Sequence, residues 1–125
     1  MMTSGISRRV AARLLLLGAL SAAGLLVYGQ EHRNARDLVE RVQADLQRAA
    51  DFTRNSEKER ERYHNVQHHL SDFDRELRRG KFDKDKLDTA IDDLKNVVKN
   101  NTLESGDRDA LATDLSDLRT LRDTR

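Results

Sequence analysis

The chain of 125 residues contains no cysteine, no proline and no tryptophan. Without cysteine there is no disulfide staple, no thiolate metal centre and no cysteine nucleophile. Without proline nothing in the sequence forces a kink or a stop inside a helix. Glycine is scarce as well, with six in all and none between residues 30 and 79. The sequence holds no G-x-S-x-G or H-E-x-x-H motif and no glycine-rich phosphate loop, so no familiar catalytic signature points to an enzyme. Acidic residues are missing from the first 29 positions, which carry Arg8, Arg9 and Arg13. The whole chain has a formal charge of +1, with 23 basic and 22 acidic residues, and residues 30–125 alone come to −2. A near-neutral body has no electrostatic footprint for nucleic acid.

The first thing present is an address. Residues 14–29 read LLLLGALSAAGLLVYG, directly behind the three arginines. A positive start, an apolar middle and small residues near a cut make a secretory signal. Cuts after Ala23 or after Gly29 both fit the small-residue rule. The run is shorter than the ~20 residues that span a bilayer comfortably. Extended back to Val10 it becomes an anchor, with Arg13 reaching for the interface. In either case the arginines lie on the cytoplasmic side and the body lies outside. The expectation is an exported protein, periplasmic or anchored facing outward, that touches a membrane only through residues 10–29 if these are retained.

The body is patterned for helices. A proline-free, charged chain rich in Arg, Leu, Asp, Lys and Ala favours long helices, and its regular apolar spacing argues against disorder. Val42, Ala49, Tyr63, Leu70 and Leu77 follow a seven-residue rhythm, with Phe52, Val66 and Phe73 three positions on and Leu38 and Leu46 beside them. This is the stripe of an amphipathic helix that needs a partner helix. The rhythm breaks at Ser56 and Glu59, which together spell a capping box. Residues 33–54 and 57–79 are therefore two helices, or one helix with a polar interruption. Gly80, after Arg78 and Arg79, ends the second.

Residues 83–98 (DKDKLDTAIDDLKNVV) align with residues 107–122 (DRDALATDLSDLRTLR) at an offset of 24. Asp83 and Asp107 open the two copies as N-caps, and Asn100, Asn101 and Gly106 mark a loop between them. The pair reads as a helical hairpin. The fold expected is all-α, a small antiparallel bundle of three to four segments near 33–54, 57–79, 84–99 and 107–122. In it, 33–54 packs on the rest or forms a stalk.

Two function classes follow. The first is protein contact or self-association, coiled-coil fashion, through Leu38, Val42, Leu46, Ala49 and Phe52. The second is a periplasmic metal-sensing or metal-handling protein. His64, His68 and Asp72 stand four apart on one helical face, and imidazoles at i and i+4 can chelate zinc, nickel or copper. No fourth ligand is apparent, and solvated surface histidines explain the spacing more simply. A calcium loop is excluded: its fifth position is Leu87 or Leu111 and its twelfth Leu94 or Leu118. The protein-contact class is the primary expectation, with a partner protein or a second copy as the other half.

Overall fold

A computed structural model describes the backbone of residues 24–125 and the side chains of residues 33–125. Four helices follow one another: α1 (Gly24–Phe52), α2 (Glu57–Arg78), α3 (Lys84–Asn100) and α4 (Ser105–Asp123). Asn34–Arg125 form one compact unit. The expected fold class is the one observed: a small all-α bundle. The export segment lies outside the described residues apart from the backbone of 24–29. The described backbone is helical from Gly24 on, ahead of residue 33 where the sequence spacing places the start of the segment.

The helices are neighbours in a ring, each antiparallel to the next. Arg36 bonds Asp74 at 3.3 Å and Gln43 bonds Ser71 at 3.3 Å, so α1 runs against α2. Arg62 with Asn101 and His69 with Asp93 set α2 against α3. Arg108 with Val98 and Arg122 with Asp88 set α3 against α4. Arg41 with Asp114 and Arg48 with Asp107 close the ring between α4 and α1. The backbones approach most closely between α2 and α3 and between α3 and α4. Helix α1 is thus held chiefly by its side chains.

Each helix turns a seam inward with alternating spacings of four and three. On α1 it is Ala35, Val39, Val42, Leu46 and Ala49; on α2 it is Glu59, Tyr63, Val66, Leu70, Phe73 and Leu77. Helix α3 contributes Leu87, Ala90, Ile91, Leu94 and Val97, and α4 contributes Leu111, Leu115 and Leu118. This is the knobs-into-holes spacing of a four-helix bundle. It decides the question left open for 33–54, whose seam is core and not stalk.

The turns explain why the chain folds back. Ser56 caps α2 by accepting from Glu59 N at 3.2 Å, and the Glu59 carboxylate accepts from Ser56 N at 2.9 Å, which completes the capping box. Asn55 Nδ2 donates to Ala50 O at 2.7 Å and holds the end of α1. Gly80 has φ 82, the left-handed conformation that lets Lys81 N reach Glu76 O and Gly80 N reach Leu77 O, both at 2.9 Å. Phe82, in the same turn, meets Phe73 edge-on at 5.3 Å and carries the Arg125 guanidinium over its face. Asp83 caps α3 as expected, accepting from Lys86 N at 3.1 Å. Ser56→Ala removes the acceptor at the start of α2 and is expected to cost about 1 kcal/mol, read as a shift in urea midpoint at unchanged slope.

Asp107 is not a cap. Helix α4 starts at Ser105 behind Glu104, and its N-cap makes no side-chain hydrogen bond. Asp107 sits in the first turn, where the helix dipole favours a carboxylate, and it is buried. Gly106 is likewise helical, so the loop is confined to residues 101–104. The two aligned copies share an apolar face but begin at different registers.

Candidate functional site

Three acidic residues occupy seam positions that the spacing assigns to the core: Glu59, Asp107 and Asp114. Carboxylates are rarely buried without a partner. Their surroundings therefore mark where the bundle departs from simple packing.

Asp114, at the middle of α4, is the most enclosed, with 2% of its side chain exposed. Arg41 of α1 donates from Nε to Asp114 Oδ1 at 3.1 Å, and its other end grips Asp117 one turn along α4. Asp45, also on α1, adds a second carboxylate whose charge acts on Asp114. Arg48 pairs with Asp45 and, at 3.8 Å, with Asp107. Two arginines and four aspartates thus form one seam between α1 and α4. Among the described residues no donor satisfies the buried Asp114 Oδ2. Burial is the first cause lifting the Asp114 carboxyl to about 7, the neighbouring Asp45 carboxylate is the second, and Arg41 opposes both. The site can therefore hold a proton near neutral pH, but its enclosure leaves no face on which a substrate could sit.

Glu59 forms a second hub at the end of the bundle where α2 and α4 begin. Beyond the Ser56 cap, its carboxylate accepts from Thr102 N in the α3–α4 loop, and its carbonyl accepts from Asn101 Nδ2 at 3.1 Å. The backbone donors of Ser56 and Thr102 hold the carboxyl down at about 2. This hub joins the start of α2 to the end of α3 and is structural.

The residues singled out in the sequence are placed differently from expectation. Val42, Leu46 and Ala49 are fully buried inside the protein's own core and Leu38 is half-buried, so the stripe is not an outer surface. The reason is the break at residues 53–56, which lets α2 fold back and cover it. Phe52 alone escapes. It is the last residue of α1 and is 66% exposed, the one large exposed hydrophobic among the described residues. It borders a shallow depression with Ala44, Gln47, Arg48 and Asp51.

The histidine face does not gather a ligand set. His64 points to solvent, and His68 lies 3.5 Å from Asp72, whose other oxygen is taken by Arg75 at 3.2 Å. Among the described residues no three His, Asp or Glu side chains group as metal ligands. A guanidinium beside the carboxylate also repels a cation. His69 faces Asp93 across the α2–α3 contact.

One sequence signal would have exposed the Asp114 seam. In the alignment at an offset of 24, Asp114 falls opposite Ala90, a buried core position of α3. An aspartate where the sister copy requires an apolar residue marks a buried charge. Among the described residues no helix is long and apolar enough to cross a membrane. Searches against family models, curated proteins and solved structures find nothing similar to this chain.

Proposed function

We propose that the protein is an exported small helical bundle of the bacterial cell envelope that acts by protein contact and without catalysis. The arginine-led apolar run of residues 8–29 supports export. The exposed Phe52 at the end of α1 carries the contact reading. The stripe above it is consumed by the core, so contact falls to the bundle's outer surface, and there a single large aromatic stands out. An aromatic flanked by Gln47, Arg48 and Asp51 has the composition of an interface anchor with a polar rim.

The test places a photo-crosslinking residue at Gln47 in intact cells, with Phe52 or with Phe52→Asp. Because Phe52 is mostly exposed, the substitution is expected to change stability by less than about 0.5 kcal/mol. A discrete adduct is expected with Phe52 and is lost with Phe52→Asp. An adduct of twice the chain's mass identifies a second copy as the partner. No adduct, or the same adducts in both backgrounds, refutes contact at this end.

A further inference from the structure

We propose that the end of the bundle where α2 stops and α3 starts is a basic foot, and that it rests on an anionic lipid surface when residues 10–29 are held in a membrane. The turn between these helices reads RRGKFDK over residues 78–84, four cations against one carboxylate. Arg78, Arg79, Lys81 and Lys84 are all exposed. The one carboxylate, Asp83, is engaged in capping α3. Arg78 and Arg79 have carboxylates on their own helix, Asp74 at 3.0 Å and Glu76 at 3.4 Å. Among the described residues no carboxylate pairs with Lys81 or Lys84. The other charges close by are balanced: Arg122 pairs with Asp88 and Asp123, and Asp85 and Lys86 add one charge of each sign. The surplus therefore sits on the two lysines. They flank a shallow depression with the half-buried Phe82, open enough for a flat array of headgroups and not for an enclosed ligand.

The opposite end has the other sign. Residues 101–107 (NTLESGD) hold two carboxylates and no cation, and residues 51–57 (DFTRNSE) hold two carboxylates and one arginine. The bundle is thus polarised along its length, basic at one end and acidic at the other.

Chain order puts the basic end on the membrane side. Arg36 pairs with Asp74 near the end of α2, so the early turns of α1 stand beside the foot. The apolar run ends at Gly29, and the seven residues from there to Arg36 reach at most about 25 Å. Phe52 lies about 24 Å farther along α1, at the acidic end. A membrane that holds the run therefore has the foot within reach of its surface. Each lysine close to an anionic surface favours the docked state roughly fivefold. The proposal rests on reading residues 8–29 as a retained membrane segment and is independent of contact at Phe52.

The chain's six lysines supply the readout. Lys81, Lys84 and Lys86 belong to the foot, and the exposed Lys58, Lys95 and Lys99 lie toward the other end. The full chain is reconstituted into vesicles of phosphatidylcholine, or of phosphatidylcholine mixed with phosphatidylglycerol, and floated to confirm insertion. A membrane-impermeant amine reagent is added and labelling is read by mass spectrometry. Rates at Lys81 and Lys84 are taken relative to Lys95, which cancels chains that face inward. With phosphatidylglycerol, labelling of both is expected to slow by roughly fivefold or more relative to neutral vesicles. In about 1 M salt, which screens charges beyond ~3 Å, the difference should vanish. Lys81→Glu, at an exposed position, should restore most of the labelling of Lys84. Equal rates in the two vesicles, protection that survives high salt, or protection of Lys84 unchanged by Lys81→Glu overturns the foot alone. A chain that floats with neither vesicle overturns it together with the membrane-segment reading.

Discussion

Leu46→Asp is expected to abolish cooperative unfolding of the bundle, not merely to weaken an association. Leu46 is fully buried in the α1 seam, between Val42 and Ala49. Truncating a buried leucine costs about 2–5 kcal/mol from lost transfer energy and the cavity left behind. The new carboxylate adds the cost of a charge without a partner, beside Asp45 in the chain. A loss of about 4 kcal/mol or more is a large share of the ~5–15 kcal/mol that holds a domain of this kind together. Circular dichroism melts of the parent, Leu46→Asp and Phe52→Asp check this directly. A Leu46→Asp melt within about 1 kcal/mol of the parent would show that the stripe faces outward after all. Phe52→Asp, at the exposed end of the same helix, supplies the contrast, because its melt should be nearly that of the parent.

The contrast between Leu46 and Phe52 also marks how far the sequence was readable. The seven-residue rhythm located the seams of α1 and α2, and the Ser56–Glu59 box located the break between them. Gly80 and Asp83 stated where α2 stops and α3 starts. These signals are local, carried by propensity, spacing and caps within a few residues. The rhythm could not say what covers the stripe, because that depends on the chain folding back at residues 53–56 and closing a ring of four helices. Phe52 keeps the rhythm of Leu46, yet it lies at the final turn of α1, beyond the reach of the neighbouring seams. Asp107 has the sequence signature of a cap, an aspartate before an apolar run. Its burial comes from α4 starting two residues earlier. The His64–His68–Asp72 spacing was correctly helical, but a metal site also needs ligands from other elements, and the nearest charged neighbour of Asp72 is Arg75. Asp114 was hidden for the same reason. Its partners Arg41 and Asp45 are some 70 positions away, and only the comparison with Ala90 carries a trace of them.

Arg41→Ala is expected to destabilise the protein by an amount that grows with pH, which separates a charge role from a packing role. Arg41 is half-exposed and donates to Asp114 and Asp117. At pH 5 Asp114 is protonated with or without the arginine, so the loss is that of a partly exposed ion pair with Asp117 and some stem packing, about 1 kcal/mol. At pH 8 the parent's Asp114 is ionised and leans on Arg41. Without it, an enclosed carboxylate has no opposing charge of its own, and the loss rises to about 2–3 kcal/mol. The variant should not pay the full price of an unpaired buried charge, because Asp114 can keep its proton to higher pH instead. Its stability should therefore fall more steeply from pH 5 to pH 8 than the parent's, while Asp114→Asn falls least. Arg41→Ala combined with Asp114→Asn should lose most of the added pH dependence, since the carboxyl that titrates is gone. Urea titrations of the four proteins at both pH values measure this coupling as a double-mutant cycle. An Arg41→Ala penalty that is the same at pH 5 and pH 8 would mean that the guanidinium packs against α4 without governing its charge.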